Sequence, residues 1–230
     1  MKIALLANGQ DMLYEGSIPS CVVQFLVLVY SQICRNYAGC LITCPPLLQG
    51  DVINYRECSS AEEIVESSVK LITFLDLAGH QKYLHTTIFG LTGYSPHYSL
   101  LVVGANCGVA GTTREHLILS IALQVPFFVV VTKTDITPPS VIESTLQSLE
   151  ALIGQLCKRN PYRVRNEDDA ITVGNPQRIH STVPIFLVSN VSGKGLHLVM
   201  KYLYVLSPCL STKERERLEQ VSLVSIPIML

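Results

Sequence analysis

From about residue 50 onward, short apolar runs alternate with stretches of helical spacing. Four runs stand out: Val69–Asp76, Ser99–Asn106, Pro126–Lys133 and Pro184–Asn190. Each is nearly continuous in Val, Ile, Leu and Phe, the pattern of strands buried on both faces of a parallel sheet. Between them, Ile142, Leu146, Leu149, Ile153 and Leu156 recur at steps of four, three, four and three, and so line one helix face. Pro138, Pro139 and Ser140 offer that helix a start. A second helix is predicted over Thr113–Leu123, with Leu117, Leu119 and Ile121 on its apolar side. A third is predicted over Leu196–Leu206, stopped by Pro208. Strands and helices alternating at these lengths predict an α/β fold with a doubly wound, mostly parallel sheet.

Three regions depart from this pattern. Residues 160–180 are polar and contain Gly and Pro, which predicts a surface loop. The tail carries the mixed-charge run Lys213–Glu219 and reads as a solvated helix or linker. Residues 1–49 do not share the alternation, although Met1–Gly9 could pass for a first strand. The expected organisation is a divergent segment over 1–49, an α/β domain over 50–210 and a tail over 211–230. The apolar run Cys21–Tyr30 falls short of the roughly 18 residues of a membrane span and is interrupted by Gln24, so it predicts a buried strand or helix.

Composition narrows the function classes. Of the 230 residues, 48% are hydrophobic and 15% charged, which excludes a disordered chain. A net charge of −1 supplies no basic field for a nucleic-acid backbone. The eight cysteines are scattered with no Cys-x-x-Cys pair, so reduced, mostly buried thiols of a cytoplasmic protein are expected rather than a zinc knuckle.

In an open parallel sheet, ligands bind beyond the carboxyl ends of the strands. The residues ending each predicted strand are Asp76-Leu-Ala-Gly79-His80, Thr132-Lys133-Thr134-Asp135 and Ser189-Asn190. An Asp closing a strand can hold a water of hydrated Mg²⁺, which accepts few protein ligands. Gly79 lets a backbone N–H approach a phosphate oxygen. A carboxylate such as that of Asp135 accepts two hydrogen bonds from the N1–H and exocyclic amine of guanine, a pair adenine does not offer. The stem of Lys133 can lie across the base, and the backbone after Ser189 can meet the guanine carbonyl. Taken singly, each segment reads more readily as an ordinary polar turn or charged loop than as a site. Their joint occurrence in order, each ending a buried strand, favours a nucleotide site.

Asp-Leu-Ala-Gly-His, Thr-Lys-Thr-Asp and Val188-Ser-Asn-Val-Ser-Gly-Lys-Gly-Leu196 resemble the third, fourth and fifth boxes of a GTP-binding domain. His80 directly after Gly79, with Gly111-Thr-Thr-Arg-Glu-His-Leu117 beyond, is similar to translational GTPases of the elongation factor Tu type. The stretches Ala61–Ser68 and Tyr83–Thr92 resemble the GTP-binding protein one and two branch. The resemblance implies GTP or GDP and Mg²⁺ as cofactors, with Asp76 the magnesium-water ligand and Gly79 the γ-phosphate contact. It implies that His80 orients the attacking water, that Thr132, Lys133 and Asp135 serve the guanine, and that Ser189 and Asn190 meet its carbonyl. His116 is expected to pack within a helix and His85 to be exposed. By family the partners are the ribosome or tRNA, through domains beyond this one.

The sequence also departs from the family. No Gly-x-x-x-x-Gly-Lys-Ser/Thr occurs, and Gln10-Asp-Met-Leu follows the candidate first strand where the lysine and hydroxyl are due. Four charge-assisted bonds at roughly 1.5 kcal/mol each make a loss of about 6 kcal/mol, or over four decades of affinity. Thr132 replaces the usual Asn and is shorter. Three readings stand: a GTP-hydrolysing domain, weak or inactive by itself; a pseudo-GTPase serving as an interaction module; and a truncated or alternatively spliced product with no stable fold, because removing a central strand leaves the sheet with a gap.

Overall fold

A computed structural model describes residues 1–7, 34–35, 41–42, 72–77 and 79–207. The run Cys21–Tyr30, the stretch 61–68 and the tail 211–230 lie outside them. Six strands form one sheet: β1 (Lys2–Ala7), β4 (Thr73–Leu77), β5 (Tyr98–Gly104), β6 (Phe127–Thr132), β7 (Asn160–Arg163) and β8 (Thr182–Leu187). Their order is β4-β1-β5-β6-β8-β7 and every pairing is parallel. A separate antiparallel pair joins β2 (Cys34–Arg35) to β3 (Leu41–Ile42).

The four apolar runs of the sequence are β4, β5, β6 and β8. Lys2–Ala7 is the strand between β4 and β5, with Leu5 opposite both Asp76 and Leu100. The sheet of the described chain therefore has no gap at its centre. Its continuous apolar character follows from position, because helices cover both faces.

Alternate residues of each strand feed two separate cores. Leu5, Leu100, Val102, Phe128, Val130 and Phe186 point to one face, where α4 (Glu167–Val173) and α5 (Leu196–Val205) pack through Ala170, Val173, Val199 and Leu203. Phe128, Phe186 and Tyr202 meet there at ring separations of 5.1–6.3 Å, within the range of favourable aromatic packing. Leu101, Val103, Val129, Val131 and Ile185 point to the other face, under α2 (Gly111–Ala122) and α3 (Pro139–Leu156). The expected stripe on α3 is present, with Leu146, Leu149 and Ile153 buried and Ile142 and Leu156 at its margin. On α2, Leu117 is buried and Leu119 and Ile121 pack at the edge. A further helix, α1 (Leu84–Gly93), follows the turn Gln81–Tyr83 and buries Thr87, Gly90 and Leu91.

Residues 160–180 are not the loop that their polarity suggests. Asn160–Arg163 is an edge strand paired to β8 from Asn160↔Thr182 to Arg163↔Ile185, and Glu167–Val173 is a helix. Asn160 and Val164 donate their N–H groups to Ser181 and Ile185. The intervening Pro161 therefore lacks an N–H only toward the open edge, where none is needed. Arg163 ties the strand to α3 by hydrogen bonds to Glu143 at 2.9 Å and Glu150 at 3.1 Å. Those two carboxylates hold its guanidinium well above the usual arginine range. Asn166 caps α4 by accepting from the Asp169 N–H at 2.8 Å. Polar side chains build this unit, so apolar periodicity does not reveal it.

Candidate functional site at the carboxyl edge of the sheet

Because all six strands run parallel, their carboxyl ends share one edge, and the three candidate segments all lie on it. Asp76 sits one residue before the end of β4, Thr132 ends β6, and Ser189 and Asn190 follow β8. Two strands separate β4 from β6. Three inter-strand steps of about 4.8 Å set the Asp76 and Thr132 positions roughly 14 Å apart. The order in which strands are added switches sides at β1, since the next strand of the sheet, β4, lies on one side of it and the following one, β5, on the other. Such a switch point opens a crevice between loops.

Asp76 keeps solvent exposure, while the surrounding protein desolvates its carboxyl group and raises its pKa above the ordinary value. Gly79 is buried and His80 exposed. His80 caps the turn Gln81–Tyr83, its Nδ1 accepting from the Lys82 N–H at 3.1 Å. With Nδ1 used as an acceptor, the neutral imidazole carries its proton on Nε2. The Tyr83 ring lies edge-on to it at 6.2 Å. The next residue, Gln81, donates to Glu115 Oε1 of α2 at 3.1 Å, which ties this turn to the helix carrying the Thr-Arg-Glu-His motif.

The Thr-Lys-Thr-Asp segment is held from both sides. Thr132 is fully buried, its carbonyl accepting from Ala105 N–H at 3.0 Å, and its Oγ1 has no hydrogen-bond partner among the described residues. Lys133 takes a left-handed backbone with φ of 62°, which turns the chain sharply as it leaves β6. Its carbonyl accepts from Thr137 Oγ1 at 2.7 Å. Thr134 Oγ1 donates to the Val188 carbonyl at 2.9 Å, bridging this loop to the one after β8. Asp135 projects as an exposed residue beyond that bridge. A hydroxyl between the lysine and the aspartate is the signal for Thr134 that motif reading passes over.

Ser189 is buried, and its Oγ accepts from Ser192 N–H at 3.1 Å. Ser189 N–H donates to the Lys194 carbonyl at 2.9 Å, closing a compact turn over Ser189–Gly195. Asn190 is partly buried within it. Gly195 starts α5 with φ of 80°, and a Cβ there would overlap the Leu187 carbonyl oxygen. Only glycine satisfies both conditions. The structure therefore assembles Thr132, Lys133, Asp135, Ser189 and Asn190 around two cross-linked loops. Asp76, Gly79 and His80 sit on the same edge at the far side of β1 and β5. His116 is buried and His85 exposed, as expected.

Residues 53–209 match the elongation factor Tu GTP binding domain family. The chain belongs to that family. It is similar to GTP-binding protein 2 of Mus musculus, at 51% identity over 174 residues covering 75% of this chain and 29% of that protein. It is also similar to GTP-binding protein 1 of Xenopus laevis, at 46% identity over 158 residues covering 68% of this chain and 24% of that one. The chain thus spans 24–29% of the length of these two curated relatives. In three dimensions it resembles the translation elongation factor SelB from Methanococcus maripaludis in complex with the GTP analogue GppNHp. The TM-score is 0.53, with 16% sequence identity, 89% coverage of this chain and 33% of that one. At that identity the likeness shows the fold alone. Among the described residues no helix is long and apolar enough to cross a membrane, and no group of three or more His, Cys, Asp or Glu side chains could hold a metal ion.

Proposed function

We propose that this G domain binds guanine nucleotide along the carboxyl edge of its sheet and acts on GTP as a weak hydrolase. The observation that carries this reading is the cross-linked pair of loops: the Thr134–Val188 hydrogen bond holds Asp135 and the Ser189–Gly195 turn as one rigid base-recognition unit. Asp135 would accept from N1–H and the exocyclic amine of guanine, and Ser189 and Asn190 would meet its carbonyl. Lys133 and Thr132 belong to the same unit. A carboxylate site of this kind rejects adenine because adenine offers no matching pair of donors, leaving the Asp135 carboxylate facing an acceptor instead of N1–H.

Mg²⁺ suits the donor set as a guest of the nucleotide rather than of a protein cage, since a hydrated magnesium needs only one or two carboxylates alongside substrate phosphates. Asp76 is that carboxylate, partly desolvated and at the edge where β4 and β1 end. Bound there, the ion would neutralise phosphate charge. Gly79 offers its N–H to the terminal phosphate. The Nε2–H of His80 is suited to donate to a water or to developing charge, not to remove a proton, because Nδ1 is already occupied by Lys82 N–H.

The lack of a Gly-x-x-x-x-Gly-Lys-Ser/Thr loop favours weak affinity and slow turnover for the chain by itself. A pseudo-GTPase is the second reading, favoured by that same lack. By family the ribosome or tRNA is the class of larger partner, and the cytoplasm the place of action. A titration with fluorescent GDP and GTP in magnesium, beside Asp135→Asn, tests the proposal. Binding that Asp135→Asn weakens at least a hundredfold for GTP, with xanthosine triphosphate now preferred, supports the guanine site. No binding up to millimolar nucleotide in a cooperatively melting protein leaves the pseudo-GTPase.

A further inference from the structure

We propose that a cavity at the opposite, amino-terminal edge of the sheet is a carboxylate-binding site built on Arg159. The cavity measures about 370 Å³ and is lined by Ile121, Gln124, Cys157, Arg159 and His180. These residues come from the ends of α2 and α3 and from the segment before β8, far from the nucleotide edge. The volume lies in the range of sites for small organic ligands.

Among the described lining residues Arg159 alone carries a permanent charge, and none of the five is acidic. Its guanidinium lies over the Phe127 ring at 5.7 Å from the centroid. Stacking uses the face of the group and leaves its N–H edges free for acceptors in the plane. Among the described residues Nη1 has no hydrogen-bond partner; that atom is closed to solvent, so the edge that meets the cavity is the rest of this half-buried group. The carboxyl ends of α2 and α3 draw a cation to this place, yet neither supplies the missing acceptor. No carboxylate of the described residues pairs with Arg159, whereas Arg163 nearby in sequence holds two. A guanidinium that is half-buried with no carboxylate beside it keeps its capacity for an incoming acceptor.

A planar carboxylate matches the guanidinium fork, and His180 on the wall supplies a second N–H donor. One formal positive charge in the lining suits a monoanion better than a dianionic phosphate. Ile121 and the Cys157 side chain would contact the ligand's aliphatic part. The carboxylate can come from a free organic acid or from a glutamate of a protein segment.

Cys157 is partly buried in the same cavity and reports its occupancy. Alkylation of Cys157 by iodoacetamide, read by peptide mass spectrometry on the intact chain, is measured against glutarate, acetyl-Glu-amide, acetyl-Gln-amide and inorganic phosphate. Protection by glutarate, acetyl-Glu-amide or both, but not by acetyl-Gln-amide, is expected, and the tighter of the two identifies the source. Arg159→Met should raise the half-protecting concentration at least tenfold. If that variant melts early, His180→Ala, at an exposed position, should raise it severalfold instead. No protection at tens of millimolar, equal protection by acetyl-Gln-amide or phosphate, or protection unchanged in both variants overturns the proposal.

Discussion

Gly195 and Gly193 are two residues apart in one turn and share a left-handed backbone, with φ of 80° and 73°. Replacing either by Ala forces an L side chain into that region, at about 1–2 kcal/mol. Part of this is offset by about 0.4–1 kcal/mol, because Ala restricts the unfolded chain. The two sites then diverge. A Cβ on Gly193 meets nothing within 4 Å, whereas one on Gly195 overlaps the Leu187 carbonyl oxygen and lies 3.1 Å from its carbon and 3.4 Å from Val188 Cα. Those atoms are backbone at the end of a core strand and cannot rotate away. Overpacking of this kind adds roughly 1–3 kcal/mol. Gly193→Ala should therefore cost about 1 kcal/mol or less and Gly195→Ala about 2–4 kcal/mol. At roughly 2–4 °C per kcal/mol for a domain of this size, the second Tm should fall by about 4–16 °C. Urea unfolding of both variants and the parent, compared at equal m-value, measures the difference. Guanine nucleotide affinity should fall further in Gly195→Ala, because the turn it distorts holds Ser189 through Lys194 and Ser192. Equal stability of the two variants would refute the close approach of α5 to β8 and the positioning of the Ser189 turn that rests on it.

Two further outcomes are expected. His80→Ala should lower single-turnover GTP hydrolysis by at least tenfold while changing GTP affinity less than threefold, since the ring is exposed and serves the reacting water rather than the base; equal hydrolysis rates would remove it from the reaction. His116 is buried, and burial pushes its pKa down to about 4 from an ordinary 6.5, so the unfolded chain takes its proton first as pH falls. Stability is then lost progressively between about pH 6.5 and 4, by up to roughly 3 kcal/mol at 1.36 kcal/mol per pH unit. His116→Leu should flatten that part of the curve in urea unfolding at pH 7 and 4.5, and an unchanged curve would contradict a neutral buried imidazole.

Strand identity was legible wherever burial on both faces demanded an unbroken apolar run. Val129, Val130 and Val131 alternate between two cores, so no polar residue is tolerated in either register. The helix of residues 139–156 was legible because one stripe must meet the sheet. The motif residues were legible because a phosphate or a base admits few side chains at a strand end. By contrast, β7 and α4 were hidden: an edge strand needs hydrogen bonds on one side only, and Arg163, Asn166 and Asp169 build that unit from charge and capping. The helix over residues 84–93 was equally hard to foresee, with Phe89 exposed while Thr87 and Gly90 are buried.

Local order in the chain thus determined the fold class and the three strand ends, because hydrophobic period and turn chemistry act over a few residues. Tertiary structure alone decided what joins at distance. It set Lys2–Ala7 between β4 and β5, and it bonded Thr134 to Val188 across 54 positions. It also brought Arg159 over Phe127, with no acceptor for its Nη1 among the described residues. Pairings of that kind depend on which strands lie side by side, and no short stretch of sequence carries that information.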